Sequence, residues 1–257
     1  MRDPLINILH PATQKILGLD FEDLGLEDGL EFACAKKGVV VFPSGSCMER
    51  LGRHPEHWDA LAAADVRFVD SGALALFWRW LSGRKIKRVS GYAFLERFIS
   101  NRSFEPSSVF WVMPSVEESG QHRGWLETVG FPAHPDRVYV APWYSRDKAV
   151  ADAELLACLE QLRPAGLVIC LSGGVQEPLA VWLRDNLSYR PLILCTGAAI
   201  GFLSGTQSRI PRWADRWYLG WLFRCVENPA RYGRRYLRVL RLMGVLSRFR
   251  EARPIGA

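Results

Sequence analysis

The chain has no CxxC pair, no GxSxG elbow, no Walker loop, no GxGxxG turn, no internal repeat and no low-complexity tract. These gaps argue against a zinc ribbon, a thioredoxin-like redox centre, a serine hydrolase of the α/β class and the common dinucleotide folds. Its six cysteines, at 34, 47, 158, 170, 195 and 225, fall singly and several lie inside apolar runs such as Leu167-Val168-Ile169-Cys170. They read as buried thiols of a reducing compartment rather than a disulfide framework. The five histidines are scattered at 10, 54, 57, 122 and 134, and the His54/His57 pair has no third ligand near it in sequence, so no metal site is expected. No stretch approaches roughly 18 uninterrupted apolar residues, and Met1-Arg2-Asp3-Pro4 lacks the basic-then-apolar profile of a signal peptide. The expectation is a cytoplasmic protein that touches a membrane, if at all, from one side.

Acidic residues are scarce in one place. Between Arg212 and Arg253 eleven arginines face only Asp215, Glu227 and Glu251, a net +8 in a chain whose total is +6. The preceding body is therefore slightly acidic, and a basic strip on such a body points to an anionic partner: lipid headgroups, a phosphate-bearing ligand or nucleic acid. Pro229 divides the strip into two helical pieces. In the second, Arg231, Arg234 or Arg235, Arg238 and Arg241 share one face by i,i+3/i+4 spacing, while Tyr232, Tyr236, Leu240 and Met243 fall on another. Trp213, Trp217 and Trp221 precede it at i,i+4 spacing. Such a basic amphipathic helix either lies in a headgroup interface or packs on the body with its arginines in water; the tryptophans favour lipid over nucleic acid.

With 257 residues and 49% hydrophobic content, the chain can bury a full core and carry an appendage. Six apolar runs of strand length recur: Val39 to Phe42, Val66 to Val69, Val109 to Val112, Arg137 to Val140, Leu167 to Cys170 and Leu192 to Cys195. None alternates cleanly, as expected for strands buried on both faces of a parallel sheet. Helical spacing between them (Trp58, Leu61, Ala62; Leu155, Leu156, Leu159; Leu179, Trp182, Leu183) gives a β-α repeat, hence a doubly wound, Rossmann-like α/β body over residues 1–210 and an arginine-rich helical appendage over 211–257. A helix flanked by loops is expected within residues 116–136.

In such sheets the ligand site lies outside the carboxyl ends of the strands. Four turns occupy that position: Pro43-Ser44-Gly45-Ser46, Asp70-Ser71-Gly72, Ser172-Gly173-Gly174-Val175-Gln176-Glu177 and Thr196-Gly197. Asp70 is the only acid directly ending a predicted strand, placed equally well to be a general base or the N-cap of the next helix. The Ser172 to Gly174 turn could offer backbone N–H groups to a diphosphate. Arg88, within Lys85-Ile86-Lys87-Arg88, either pairs with phosphate or belongs to a solvated charge run.

In order, these pieces resemble the WecG/TagA/CpsF family of bacterial glycosyltransferases from about Val39 to about Leu240. Asp70 stands at the family's aspartate, Arg88-Val89-Ser90-Gly91 at its Arg-x-x-Gly, and Val175-Gln176-Glu177 at its Gln-Glu. Arg209-Ile210-Pro211, Leu219 to Arg224, Asn228-Pro229-Ala230-Arg231 and Arg235-Tyr236 follow its C-terminal motifs. The resemblance implies a glycosyltransferase-E architecture with a membrane-docking C-terminal appendage. It further implies inverting transfer of a sugar from a UDP-sugar to a polyprenyl-diphosphate-linked saccharide at the inner membrane face, in exopolysaccharide or other cell-surface polysaccharide synthesis, with no metal or other cofactor required. By analogy Asp70 is the base and Gln176 positions substrate. Ser44, Arg88, Gly173, Gly174, Glu177, Thr196 and Gly197 line the substrate site, and Arg224, Arg231 and Arg234 meet the diphosphate from the appendage. The chain departs from the pattern: Phe42 replaces a pocket threonine, Ser44 an asparagine, Gly174 a proline, Gly201 an aspartate, and Gly220 and Asn228 two glutamates, while Ser71 separates Asp70 from its glycine. These changes fit a hexose donor other than the family's usual one, or a non-catalytic relative that binds the lipid-linked intermediate or scaffolds an assembly complex.

Overall fold

The structure is a computed structural model that describes residues 11–145, 150–206 and 240–256. Two short strands, β1 (Thr13–Ile16) and β2 (Leu19–Glu22), open it as an antiparallel hairpin. The apolar runs gave no hint of this hairpin. Its two-residue turn, Leu17 at φ 51° and Gly18 at φ 80°, has the paired positive φ angles that match the twist of a tight hairpin. There follow α1 (Leu26–Lys36), β3 (Gly38–Val41), α2 (Gly45–Met48), α3 (Pro55–Ala63), β4 (Val66–Arg67), α4 (Gly72–Ser82) and α5 (Gly91–Asn101). The second half runs β5 (Val109–Met113), α6 (Val116–Thr128), β6 (Val138–Val140), α7 (Ala153–Leu162), β7 (Gly166–Ile169), α8 (Gln176–Asn186), β8 (Leu192–Cys195) and α9 (Ala199–Ser204).

All six anticipated strands form one sheet in the order β4-β3-β8-β7-β5-β6, and every pairing is parallel. The strands alternate faces although both faces are apolar. Val39, Val41, Phe110, Val112, Leu167, Ile169, Ile193 and Cys195 point into one core; Val40, Phe42, Trp111, Met113, Val168, Cys170 and Leu194 point into the other. The first core is closed by the hairpin, α4, α7, α8 and the last helix, the second by α1, α5, α6 and α9. A strand covered on both sides needs no polar residue, which is why the sequence showed runs rather than alternation.

Local chemistry sets the helix starts. Ser71, Ser90, Ser115 and Asp152 each accept a hydrogen bond from the backbone N–H three residues on, capping α4, α5, α6 and α7. The hairpin shields the β4 edge: Glu22 accepts from the Arg67 backbone N–H at 2.9 Å, and the Arg67 guanidinium donates to the Asp20 carbonyl at 2.6 Å.

Within the span expected as an appendage, residues 240–256 are seated on the α/β body. A helix covers 240–249, and its Leu242 and Leu246, one turn apart, are fully buried in the first core. Beyond it Leu17 N–H donates to the Arg250 carbonyl at 2.7 Å, and Arg253 pairs with Asp59 at 2.9 Å and lies 3.9 Å over the Trp58 ring. At least this arginine of the ladder is a structural clamp. Among the described residues no helix is long and apolar enough to cross a membrane. Replacing Leu246→Ala should cost about 2–5 kcal/mol of unfolding free energy by leaving a cavity in the first core; a urea midpoint equal to that of the unaltered protein would place this helix outside the core.

Candidate active site

Because the strands are parallel, the turns after β3, β4, β5, β7 and β8 gather along one edge. Two glycines let three of these turns touch. A Cβ on Gly45 would lie 2.7 Å from Ser71 Oγ, and one on Gly173 would lie 2.8 Å from Cys47 Sγ, so the turn after β3 fits between those after β4 and β7 only with no side chain there. Ser44 takes part in this junction: its hydroxyl lies 3.1 Å from Ser46 Oγ and donates to Cys47 Sγ at 3.3 Å.

Asp70 is not the cap of the helix that follows it, since Ser71 fills that role. Its carboxylate instead accepts from the Gly91 N–H at 3.1 Å, at the first residue of α5. Arg88, half-buried, donates from Nε to the Asp70 backbone carbonyl at 2.7 Å, and Val69 bridges to Arg88 in parallel. Asp70 is thus held through both its backbone and its side chain just beyond the edge strand β4, partly open to solvent. Arg88 here fixes the turn that carries the carboxylate.

The turn after β7 rests on a buried polar cluster. Gln176 donates to the Cys195 carbonyl (3.3 Å) and to Glu177 Oε1 (3.1 Å), and accepts from the Gly197 N–H at 2.9 Å. Its amide therefore locks the Thr196-Gly197 turn to the start of α8. Glu177, 1% exposed, accepts from the Gly174 N–H at 2.6 Å and faces His57 Nε2 at 3.5 Å. Burial pushes the Glu177 carboxyl up, but His57, the Gly174 N–H and the Gln176 amide together hold it below its ordinary range. Gly174 sits at φ 86°, which no proline can adopt, so the family's proline could not stand on this backbone. Thr196, 8% exposed, lies beside the Cys170 thiol, and its Oγ1 makes no hydrogen bond of ordinary geometry among the described residues.

A cleft of about 170 Å³ opens over the ends of β5, β7 and β8, bounded by Glu118, His122, Leu171, Ser172, Gly197 and Gly201. His122 was not singled out from sequence, where it is one histidine in a polar helix. It is 1% exposed, hydrogen-bonds Ser204 Oγ through Nδ1 at 3.0 Å and faces Glu118 through Nε2 at 3.6 Å. Burial holds its imidazole below the ordinary 6.5, against the opposing pull of Glu118. The Cys170 thiol, buried in the same wall, is pushed up by desolvation first and Glu118 second, so it is not poised as a nucleophile. No lysine or arginine lines the cleft among the described residues.

The structure therefore brings Ser44, Asp70, Arg88, Gly173, Gly174, Gln176, Glu177, Thr196 and Gly197 to one edge. Arg224, Arg231 and Arg234 lie outside the described residues, as do the tryptophans of the tail. The described chain stops at Thr206 and resumes at Leu240, and Leu242 Cδ2 lies 3.4 Å from where a Cβ on Gly45 would be, so the chain rejoins the body at the carboxyl edge. Phe42 is not a pocket residue. Its ring packs against Phe68 (centroids 5.7 Å apart) and Phe94 (4.9 Å) in the second core, so its place at the strand end does not put an aromatic face before a substrate. Among the described residues no group of three or more His, Cys, Asp or Glu is arranged to hold a metal ion.

Two stability tests follow. A histidine with a depressed folded pKa contributes stability that is complete above 6.5 and is lost as pH falls through the folded value; a carboxylate with a depressed pKa contributes stability that is lost only below about 4.5. His122 should therefore lower the urea midpoint as pH falls below 6.5, while Glu22, whose carboxyl burial pushes up, acts in the opposite sense; His122→Gln should remove the first contribution, and an unchanged difference between the two profiles would remove His122 as its source. Glu177→Ala strands the Gly174 N–H and His57 and should cost about 3 kcal/mol at neutral pH in the same assay.

No curated protein matches the chain. Residues 14–254 match the Glycosyl transferase WecG/TagA/CpsF family, from the first strand of the hairpin to the end of the last described helix and beyond. A match of that extent covers the whole carboxyl edge just described, and the chain belongs to this family of glycosyltransferases.

Proposed function

We propose that the protein is an inverting, UDP-sugar-dependent hexosyltransferase that acts on a polyprenyl-diphosphate-linked saccharide at the cytoplasmic face of the membrane, in the synthesis of a cell-surface or exported polysaccharide. The observation that carries this reading is Asp70, a partly open carboxylate anchored at the carboxyl edge by Gly91 and Arg88. In a single displacement the acceptor hydroxyl gives its proton to Asp70 while its oxygen bonds the donor's anomeric carbon. The bond from that carbon to the diphosphate breaks on the opposite face, releasing UDP and inverting the centre.

A donor of this kind has to reach beyond the cleft. The cleft has room for on the order of five waters, enough for one ring of a ligand rather than a whole nucleotide sugar. Asp70 lies three residues beyond β4, and β3 alone separates that strand from β8 at the cleft, a span of roughly 10 Å at ordinary strand spacing. An extended nucleotide sugar bridges such a gap. The cleft's own charge is acidic, so stabilising the leaving diphosphate falls to guanidinium groups from elsewhere, and Arg224, Arg231 and Arg234 are the proposed source.

Asp70→Asn should lower turnover by about 10²–10⁴-fold while leaving UDP-sugar affinity within a factor of a few; undiminished turnover would remove Asp70 from the mechanism. The measurement is mass-resolved transfer from a panel of UDP-sugars to a polyprenyl-diphosphate acceptor. The internally saturated Gln176 favours a second reading, a binding or scaffolding relative, and silence across the panel with intact acceptor binding would select it.

A further inference from the structure

Helix α4 is apolar on almost every side: between Gly72 and Leu81 its only charged residue is Arg79. A helix of that composition is normally covered all round. Here only part is. Leu74, Ala75 and Trp78 are buried in the first core, with Phe77 and Leu81 packed against it, whereas Leu76 is 52% and Trp80 73% exposed. Ala73, Leu76 and Trp80 follow one another at helical spacing, so the uncovered residues form one stripe rather than isolated surface positions.

One cation sits beside this stripe and two follow the helix in sequence. Arg79 lies beside Leu76 and Trp80 by helical position, and Lys85 and Lys87 follow the left-handed Gly83 that ends the helix. All three are exposed, and their side chains have no ion-pair partner among the described residues. Arg84 is already engaged, paired with Glu251 and lying 5.2 Å over Trp78. No acid occurs from Ser71 to Arg88. The acids in contact with it are Asp70, held by Arg88 and Gly91, Glu251, taken by Arg84, and Asp23, which accepts from Gln14 and the Lys87 backbone.

We infer that the exposed face of α4 is a lipid-contact surface: Leu76 and Trp80 enter the boundary between headgroups and acyl chains of an anionic bilayer, and Arg79, Lys85 and Lys87 meet the headgroup phosphates. A tryptophan beside apolar residues with lysine and arginine at the rim matches the chemistry of that boundary. A second copy of the chain fits less well. A two-fold contact through this face would bring the same cations against each other, with no acid in the segment to neutralise them. The inference stands independently of the sugar-transfer reading. Together the two are consistent, because α4 begins at Ser71, next to Asp70, and docking along it sets the carboxyl edge beside the bilayer.

The test uses the full chain and vesicles of phosphatidylcholine with or without phosphatidylglycerol. Leu76→Glu/Trp80→Glu should weaken partition onto phosphatidylglycerol vesicles by at least about tenfold with an unchanged melting temperature, and Arg79→Glu/Lys85→Glu/Lys87→Glu should reduce the preference for the anionic lipid. In a chain whose six cysteines are replaced by alanine, a Trp80→Cys variant carrying an environment-sensitive fluorophore should shift to the blue on those vesicles, a local readout that binding through the arginine-rich segment alone would not give. Unchanged partition with no fluorescence shift would overturn the inference. So would a halved molar mass of Leu76→Glu/Trp80→Glu by light scattering, in favour of a second copy, or a lowered melting temperature with intact vesicle binding, in favour of a cover from the chain itself.

Discussion

The constraint on which the rest depends is the common direction of six strands in a sheet buried on both faces. Parallel strands need crossover helices, and these cover the two faces, leaving the strand ends as the places where backbone and polar side chains meet solvent. All carboxyl ends then fall on one edge. Turns far apart in sequence, after residues 41, 67, 169 and 195, become neighbours there. Gly45 and Gly173 make the closest of these contacts possible, because a side chain at either would collide with Ser71 or Cys47.

At that edge most polar groups are spent on holding the scaffold. Gln176 bonds both the Cys195 carbonyl and the Gly197 N–H, Glu177 holds Gly174, and Arg88 holds the carbonyl of Asp70. Groups fixed in this way need little rearrangement when charge develops in a reaction, which is the physical content of a preorganised site. The arrangement also separates labour. The body supplies a carboxylate and an acidic cleft, while the chain's excess positive charge is concentrated beyond Arg212 and flanks the uncovered face of α4. On the proposed reading, an anionic substrate or surface meets those basic segments rather than the cleft walls.

Much of this was legible in the sequence. The six strands and the β-α repeat follow from apolar runs bounded by small residues, since burial on both faces leaves that signature whatever the topology, although β4 stops at Arg67, three residues short of Asp70. The arginine strip was equally visible, because net charge adds up along the chain. The β1–β2 hairpin was not: four-residue strands joined by a turn that sets Leu17 at positive φ offer too little periodicity to read.

Sequence alone thus determined the fold class, the family and the residues that follow each apolar run, because these depend on local composition and order. Only the tertiary structure decided what those residues face. It gave the cap of α4 to Ser71 and left Asp70 to Gly91, turned Phe42 into an aromatic core, enclosed Gln176 in backbone hydrogen bonds, drew His122 from a polar helix into the cleft wall, and returned residues 240–249 to the body. Each of these outcomes depends on which partner lies across a distance in sequence, and that is set by strand order and packing rather than by neighbours along the chain.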